Sequence, residues 1–323
     1  MAAYLARRFV FAVLLVFSVS SAALVLTRLA PGDYADLTAA TTGDKAVAEA
    51  IRERYGLNRS IGGQYADWLW KAARFDFGRS MVYDRPVQDL ISERAANSAI
   101  LALSALALAT LVGIPLGIVT GSRRNGVAHA VRAVSVLLLS MPPLLTSLVL
   151  VFVAARTGWL PVGGMFSPGL SGVEGADAGG GWQIGDLASH MIVPVLALAL
   201  PLSAMFERLQ AEAMGSTIGL PFVVATIARG VPPARIIWRD ALKPALRPVV
   251  SVYGLTIGTL LSGSFAVEII TSWPGLGQLM LNALRQRDIY LVAGCAAIGS
   301  IFLAAGTFLS DAALAVADPR TTE

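Results

Sequence analysis

Six stretches of this sequence are long and apolar enough to cross a bilayer, and that constrains the fold more than any other feature. They run over Phe9–Thr27, Ser98–Gly121, Ala133–Ala155, His190–Phe206, Val249–Val267 and Leu291–Leu309. A hydrocarbon core about 30 Å thick needs about 20 apolar helical residues, at about 1.5 Å of rise each. Composition agrees: 55% of residues are hydrophobic and 14% charged, where soluble chains carry about a quarter charged. The expected fold class is an all-α integral membrane protein with about six transmembrane helices. Pro194 and Pro201 interrupt the fourth stretch, which is read as a helix whose freed carbonyls neighbouring helices satisfy. The N-terminal Arg7-Arg8 and the apolar run behind it also suit a signal peptide. The run is longer than an ordinary signal core, and Ser21-Ala22-Ala23 lies inside it, so an uncleaved first span is expected.

Lysine and arginine in the short loops set the orientation. Arg123, Arg124 and Arg132 follow the second span, and Arg208, Arg229, Arg235, Arg239, Lys243 and Arg247 follow the fourth. The opposite loops hold Arg156 and then Arg285 and Arg287. Both termini are therefore expected in the cytoplasm, with a small extracytoplasmic element after the first helix. In that element Ala46, Val47, Ala50 and Ile51 recur at helical spacing, and Tyr55-Gly56 reads as a helix end. Trp68, Trp70 and Phe75 suit either the membrane interface or the element's own core. Residues 163–186 are Gly-rich without periodicity and read as a flexible loop.

Several chemistries are disfavoured. The net charge of +4 is small and dispersed, so no nucleic-acid partner is expected. One cysteine, Cys295, and two isolated histidines, His129 and His190, give no metal cluster. None of the three lysines sits in a phosphate-cradling G-x-x-x-x-G-K-[ST] loop, so the chain is not expected to bind ATP or act as an enzyme. Glu207, Glu268 and Asp311 lie near predicted span ends. Charges inside a membrane persist mainly for function, so their scarcity in mid-span argues against an ion-coupled carrier or channel, which stays the alternative reading.

The informative segment is the cytoplasmic loop 214–248. Pro221 suits the first position of a helix, and Phe222, Val223, Ala225, Thr226, Ile227 and Ala228 make about two apolar turns, ended by Arg229-Gly230 and Pro232-Pro233. Such a helix is too short to span, and an apolar surface in water marks a binding site; it would dock on a partner or lie along the membrane. A second helix should place Arg235, Arg239 and Lys243 on one basic face, where lipid headgroups suffice to explain them.

Those residues also carry a resemblance. Ala225-Thr226-Ile227-Ala228-Arg229-Gly230, followed by Leu242-Lys243-Pro244-Ala245-Leu246-Arg247-Pro248, resembles the EAA loop of ATP-binding-cassette importer permeases. More narrowly, the chain is similar to the dipeptide/oligopeptide family, first-subunit type, with a MetI-like permease fold. Supporting pieces are Tyr4-Leu5-Ala6-Arg7-Arg8, Arg28-Leu29-Ala30-Pro31-Gly32-Asp33, Tyr55-Gly56-Leu57, Asp76-Phe77-Gly78-Arg79-Ser80, Arg85-Pro86-Val87 and Gly113-Ile114-Pro115-Leu116-Gly117. Trp273-Pro274-Gly275-Leu276-Gly277, Arg287-Asp288 and the closing Asp311 and Asp318-Pro319-Arg320 complete the set. The pattern's glutamate is missing, since Val224-Ala225-Thr226 stands where Glu-Ala-Ala is usual.

The resemblance implies residues 1–97 as first helix plus extracytoplasmic element, 98–317 as a five-helix permease core, and 318–323 as a cytoplasmic tail. It implies a bacterial inner-membrane importer with a second paralogous permease subunit, two ATPase subunits that bind ATP and magnesium, and an extracytoplasmic solute-binding protein. Pro221 to Gly230 would be the coupling helix in an ATPase groove. Glu268, Pro274, Gly275, Gly277, Arg287, Asp288, Asp311, Asp318, Pro319 and Arg320 match motif positions without an assigned role. Peptides are the expected solute; a nickel complex, glutathione or an oligosaccharide are alternatives within the family.

Overall fold

The computed structural model describes residues 2–123, 125–167 and 180–317. Among them regular structure is helical, apart from a single antiparallel bridge between Arg79 and Pro86. The helices are α1 (Ala2–Leu29), α2 (Tyr34–Thr42), α3 (Lys45–Tyr55), α4 (Ile61–Ala72), α5 (Val87–Ser122), α6 (Gly126–Leu139), α7 (Pro143–Thr157) and α8 (Gly180–Ile218). There follow α9 (Pro221–Ala228), α10 (Pro233–Arg235), a π-helical segment (Ile236–Ala241), α11 (Leu242–Ala245) and α12 (Arg247–Gly263). Then come α13 (Phe265–Ile270), α14 (Leu276–Arg285) and α15 (Ile289–Ala317).

Four helical segments among the described residues are long and apolar enough to cross a membrane: Arg7–Thr42, Val87–Ser122, Ile184–Ile218 and Ile289–Leu309. A fifth crossing is possible if α6 and α7, bent by 102° at their junction, act together. The stretch Ala133–Ala155 is thus not one straight helix. Pro142 and Pro143 stand at the break, and the residue before a proline is driven out of the helical region. The stretch Val249–Val267 is likewise divided, between α12 and α13 at Ser264. The fourth stretch grows instead. α8 runs through both Pro194 and Pro201 for 39 residues, about 58 Å at the α-helical rise, and takes in residues 180–186 of the segment read as a loop.

The chain divides into two compact units. One comprises residues 1–99 and 274–305. In it α1 exposes most of its apolar side chains, with Phe9, Phe11, Leu14 and Phe17 open on its surface, as a lipid-facing helix would. Ser21 Oγ meets Tyr65 Oη of α4 at 2.8 Å, and Arg28 donates to the Leu57 carbonyl at 2.5 Å. Trp68 is buried at the core of this element, whereas Trp70 and Phe75 are exposed, Trp70 under the Arg74 guanidinium. Trp68 therefore belongs to the element's own core, and Trp70 and Phe75 do not.

The second unit comprises residues 100–273 and 306–323, and α8 is its hub. α6, α7, α12 and α13 all pack on α8, and α5 reaches it through a stripe of small residues. A Cβ on Gly113, Gly117 or Gly121 would lie 2.5 Å from the carbonyl oxygens of Ser203, Glu207 and Ala211 respectively. Glycine every fourth residue lets two backbones come this close, which is how membrane helices associate when water supplies no driving force. Phe206 stacks on Tyr253 of α12 at 5.1 Å, and the Tyr253 hydroxyl bonds Thr110 at 2.5 Å.

Candidate functional site

The segment 214–248 is built on the end of α8. Met214 of α8, Ile118 of α5, Ala241 of the π-helical segment and Ala245 of α11 form one buried cluster. That cluster fixes a platform against which α9 rests. Leu220 is extended, as a residue before proline must be, and Pro221 opens α9 at the position where a missing N–H costs nothing. Val223 is fully buried and Thr226 nearly so, its hydroxyl donating back to the Phe222 carbonyl at 2.9 Å. Arg229 then donates to that hydroxyl at 2.9 Å. The rest of α9 faces outward. Phe222 is 49% exposed, Val224 50% and Ile227 50%.

The exit is a left-handed turn at Gly230, φ +74°, closed by its N–H to the Ile227 carbonyl at 2.9 Å. A Cβ there would touch nothing within 4 Å. The requirement for glycine is conformational, since a side chain at such a φ costs about 1–2 kcal/mol even in open space.

Of the residues expected to meet a partner, Pro221, Phe222, Ala225, Ile227, Ala228, Arg229 and Gly230 are accessible. Val223 and Thr226 are not; they are the anchors holding α9 to its own subunit. Val224, which stands where the family pattern has its glutamate, was not among the expected contact positions, yet it is as exposed as Ile227. Arg235, Arg239 and Lys243 are all exposed, but the expected single helix is broken into α, π and α pieces. Trp238 stands exposed among them, a residue that spacing alone did not single out.

The other motif positions prove to be joints. Glu268 is buried in α13, accepting from Ser264 Oγ at 2.7 Å, while its carbonyl takes the Trp273 N–H at 2.8 Å. The Pro274 carbonyl accepts from Asn97 at 2.9 Å. Gly275 is the extended residue preceding α14, whose first N–H, on Leu276, goes to Ser98 Oγ at 2.8 Å. Gly277 is buried within α14. Arg287, at φ +56°, donates to the Pro31 carbonyl.

Asp288 is completely buried, and one carboxylate oxygen accepts from Ser80 Oγ at 2.6 Å, Met81 N at 2.8 Å and Val82 N at 3.2 Å. Its other oxygen caps α15 through Leu291 N at 3.1 Å. Burial raises the pKa of this carboxyl, and the four donors oppose the rise. The motifs Arg28–Asp33, Tyr55–Leu57, Asp76–Ser80 and Arg287-Asp288 thus meet in one knot of the first unit. The side chain of Asp311 and residues Asp318, Pro319 and Arg320 lie outside the described residues.

Glu207 differs from the expectation that ionisable groups sit at span ends. α8 extends well past it, and it is 1% exposed, with one oxygen accepting from Thr120 Oγ1 at 2.5 Å and the other lacking a partner among the described residues. Gln210, one turn on, is fully buried with both amide atoms unmet among the described residues. No periodicity argument could have found this pair, because the sequence signal ended the span at Phe206.

These features define a polytopic helical membrane protein that displays a short apolar helix outside its long spans. Comparison with known proteins narrows the class. Residues 113–323 match the family model described as binding-protein-dependent transport system inner membrane component, and residues 1–102 match the N-terminal model of the same systems. The chain belongs to this family of importer permeases and is a multi-pass protein of the bacterial inner membrane. It is 32% identical over 324 residues to the oligopeptide transport system permease protein OppB of Salmonella typhimurium, covering 98% of each chain. It is 29% identical to oligopeptide permease AppB of Bacillus subtilis over 99% of both, and 29% identical to the glutathione permease GsiC of Escherichia coli over 88% of this chain and 87% of that one.

Proposed function

We propose that this chain forms half of the translocation path of an ATP-driven peptide importer and that α9 is the handle by which an ATPase subunit works it. The carrying observation is the split character of α9: two side chains anchor it, while Phe222, Val224 and Ile227 stay half exposed beside a glycine-enforced exit. Burying the remaining half of each on docking is worth on the order of 1 kcal/mol apiece, enough to bind a groove without fixing α9 there in isolation. The platform under α9 is continuous with α8 through the Met214 cluster, so a displacement of α9 has a stiff element to act on.

Six crossings with both termini in the cytoplasm fit the arginine-rich loops, the bent α6–α7 pair counting as the third and α12 as the fifth. The partners are a second permease subunit, two ATPase subunits and an extracytoplasmic solute-binding protein. Peptides are the solute because the OppB and AppB likeness runs end to end. Glutathione, itself a short peptide, is a second solute supported by the GsiC likeness. The test is co-purification and uptake: Phe222→Asp combined with Ile227→Asp leaves the chain in the membrane but releases the ATPase and abolishes uptake. Normal uptake by that variant would refute the handle.

A further inference from the structure

We infer that α4 is a membrane-surface helix whose tip, Trp70, Arg74 and Phe75, seats in the phospholipid interface beside α1. The partner is a lipid surface, with the two rings at the acyl boundary and the guanidinium at headgroup phosphates.

The placement follows from contacts with α1. Arg28, just past the apolar run of α1, donates to the Leu57 carbonyl at 2.5 Å. Ser21, inside that run, meets the Tyr65 hydroxyl at 2.8 Å. Ser21 lies seven residues before Arg28, about 10 Å back along the helix axis. The chain therefore turns at Leu57 and leans α4 against the part of α1 that crosses the bilayer. Lipid covers the open apolar side chains of α1, and the flank of α4 next to α1 borders the same lipid.

The sides of α4 are divided accordingly. Gln64 and Trp68 turn inward and are buried. On the flank that Tyr65 opens toward α1 come Ala66, Leu69, Trp70 and Ala73, and on the other flank the exposed Asp67, Lys71 and Arg74. One apolar and one charged flank, both outside the core, is the pattern of a helix lying in an interface.

The end of α4 adds an independent sign. The Phe75 N–H bonds the Ala72 carbonyl at 2.9 Å and the Asp76 N–H the Lys71 carbonyl at 3.1 Å, which closes the helix with Phe75 at φ +61°. Glycine is usual at such a helix end, and a bulky residue there is an outlier. Burial does not compensate, because Phe75 is 73% exposed. The strained turn instead holds an apolar ring outward. Trp70, 66% exposed, lies 3.9 Å from the Arg74 guanidinium. A guanidinium stacked on a ring keeps its N–H edge for phosphate, and tryptophan belongs at the headgroup level.

The test places nitroxide labels singly at Ala66→Cys, Ala73→Cys and Asp67→Cys in the full-length chain, purified with the subunits that accompany it. Nanodiscs of phosphatidylethanolamine and phosphatidylglycerol supply the lipid, and collisions with oxygen and with a water-soluble nickel chelate report depth. The oxygen-to-nickel ratio should be severalfold higher at positions 66 and 73 than at 67. Phe75→Gly relieves the turn, so the melting temperature in detergent should hold or rise, while the label at 73 shifts toward nickel. Arg74→Glu, which repels phosphate, should shift it the same way. Equal ratios at all three positions, whether the helix is wholly in water or wholly in lipid, would overturn the inference. So would labels at 66 and 73 closed to both reagents, which would mean a protein covers this flank. A label at 73 that ignores both Phe75→Gly and Arg74→Glu, with Phe75→Gly lowering the melting temperature, would make the tip a structural plug and overturn it equally.

Discussion

Single residues carry most of the testable chemistry. Gly230 sits at φ +74° in open space, so Gly230→Ala should cost the turn about 1–2 kcal/mol, and Gly230→Val more, because a β-branched side chain is still less tolerant of this region. The expected outcome is ATP hydrolysis that continues while uptake falls, read as the ratio of the two rates in proteoliposomes. Asp288→Asn keeps the shape but puts an NH₂ where one oxygen now accepts up to three donors. Leaving buried donors unmet costs about 1–3 kcal/mol each, so the melting temperature of the detergent-solubilised protein should fall clearly.

Asp84 supplies a pH dependence. The Arg54 hydrogen bond holds its carboxyl below the ordinary 3.8, with Tyr55 and Arg79 adding to that and slight desolvation opposing it. A depressed carboxyl stabilises the fold above its unfolded pKa, and that contribution is lost as pH falls through the folded value. Protection from hydrogen exchange in residues 79–86, measured against the intrinsic rate at each pH, should fall below about pH 4, and Asp84→Asn should remove that acid step while leaving protection low throughout.

Elements show where the sequence could be read and where it misled. The helix α9 was legible because proline at the start, glycine at the end and an apolar run between them are local signals. Which of its side chains face inward was not, since Val223 and Thr226 are chosen by the platform beneath. The α5–α8 contact was visible only as a scatter of glycines; its use, three close approaches along one line, needs the partner helix. Gly117→Leu should drive side-chain atoms into the Glu207 carbonyl and Gln210, costing several kcal/mol as overpacking against backbone. Loss of a monodisperse peak in size-exclusion chromatography is the expected sign, whereas Gly126→Leu, with nothing within 4 Å of its Cβ, should behave as wild type.

For the whole molecule, orientation is the open quantity that one experiment fixes. Cys295 is buried, so single cysteines can be introduced over a silent background. Thr41→Cys, on the exposed element after α1, should react with an impermeant maleimide in intact spheroplasts. Ala234→Cys, beside α9, should react only after the membrane is opened. The reverse pattern would turn the chain over and remove α9 from any cytoplasmic ATPase.

Apolar length, an additive property of the chain, determined that this is a helical membrane protein. Proline, glycine and their spacing determined the short helix α9. Tertiary structure alone decided that the third stretch bends, that α8 continues past Phe206 to enclose Glu207, and that motifs about 250 residues apart, at Pro31 and Arg287, close on one another. Those outcomes depend on which surfaces meet, and a hydrogen bond or a backbone contact between distant residues leaves no periodicity in the sequence to be read.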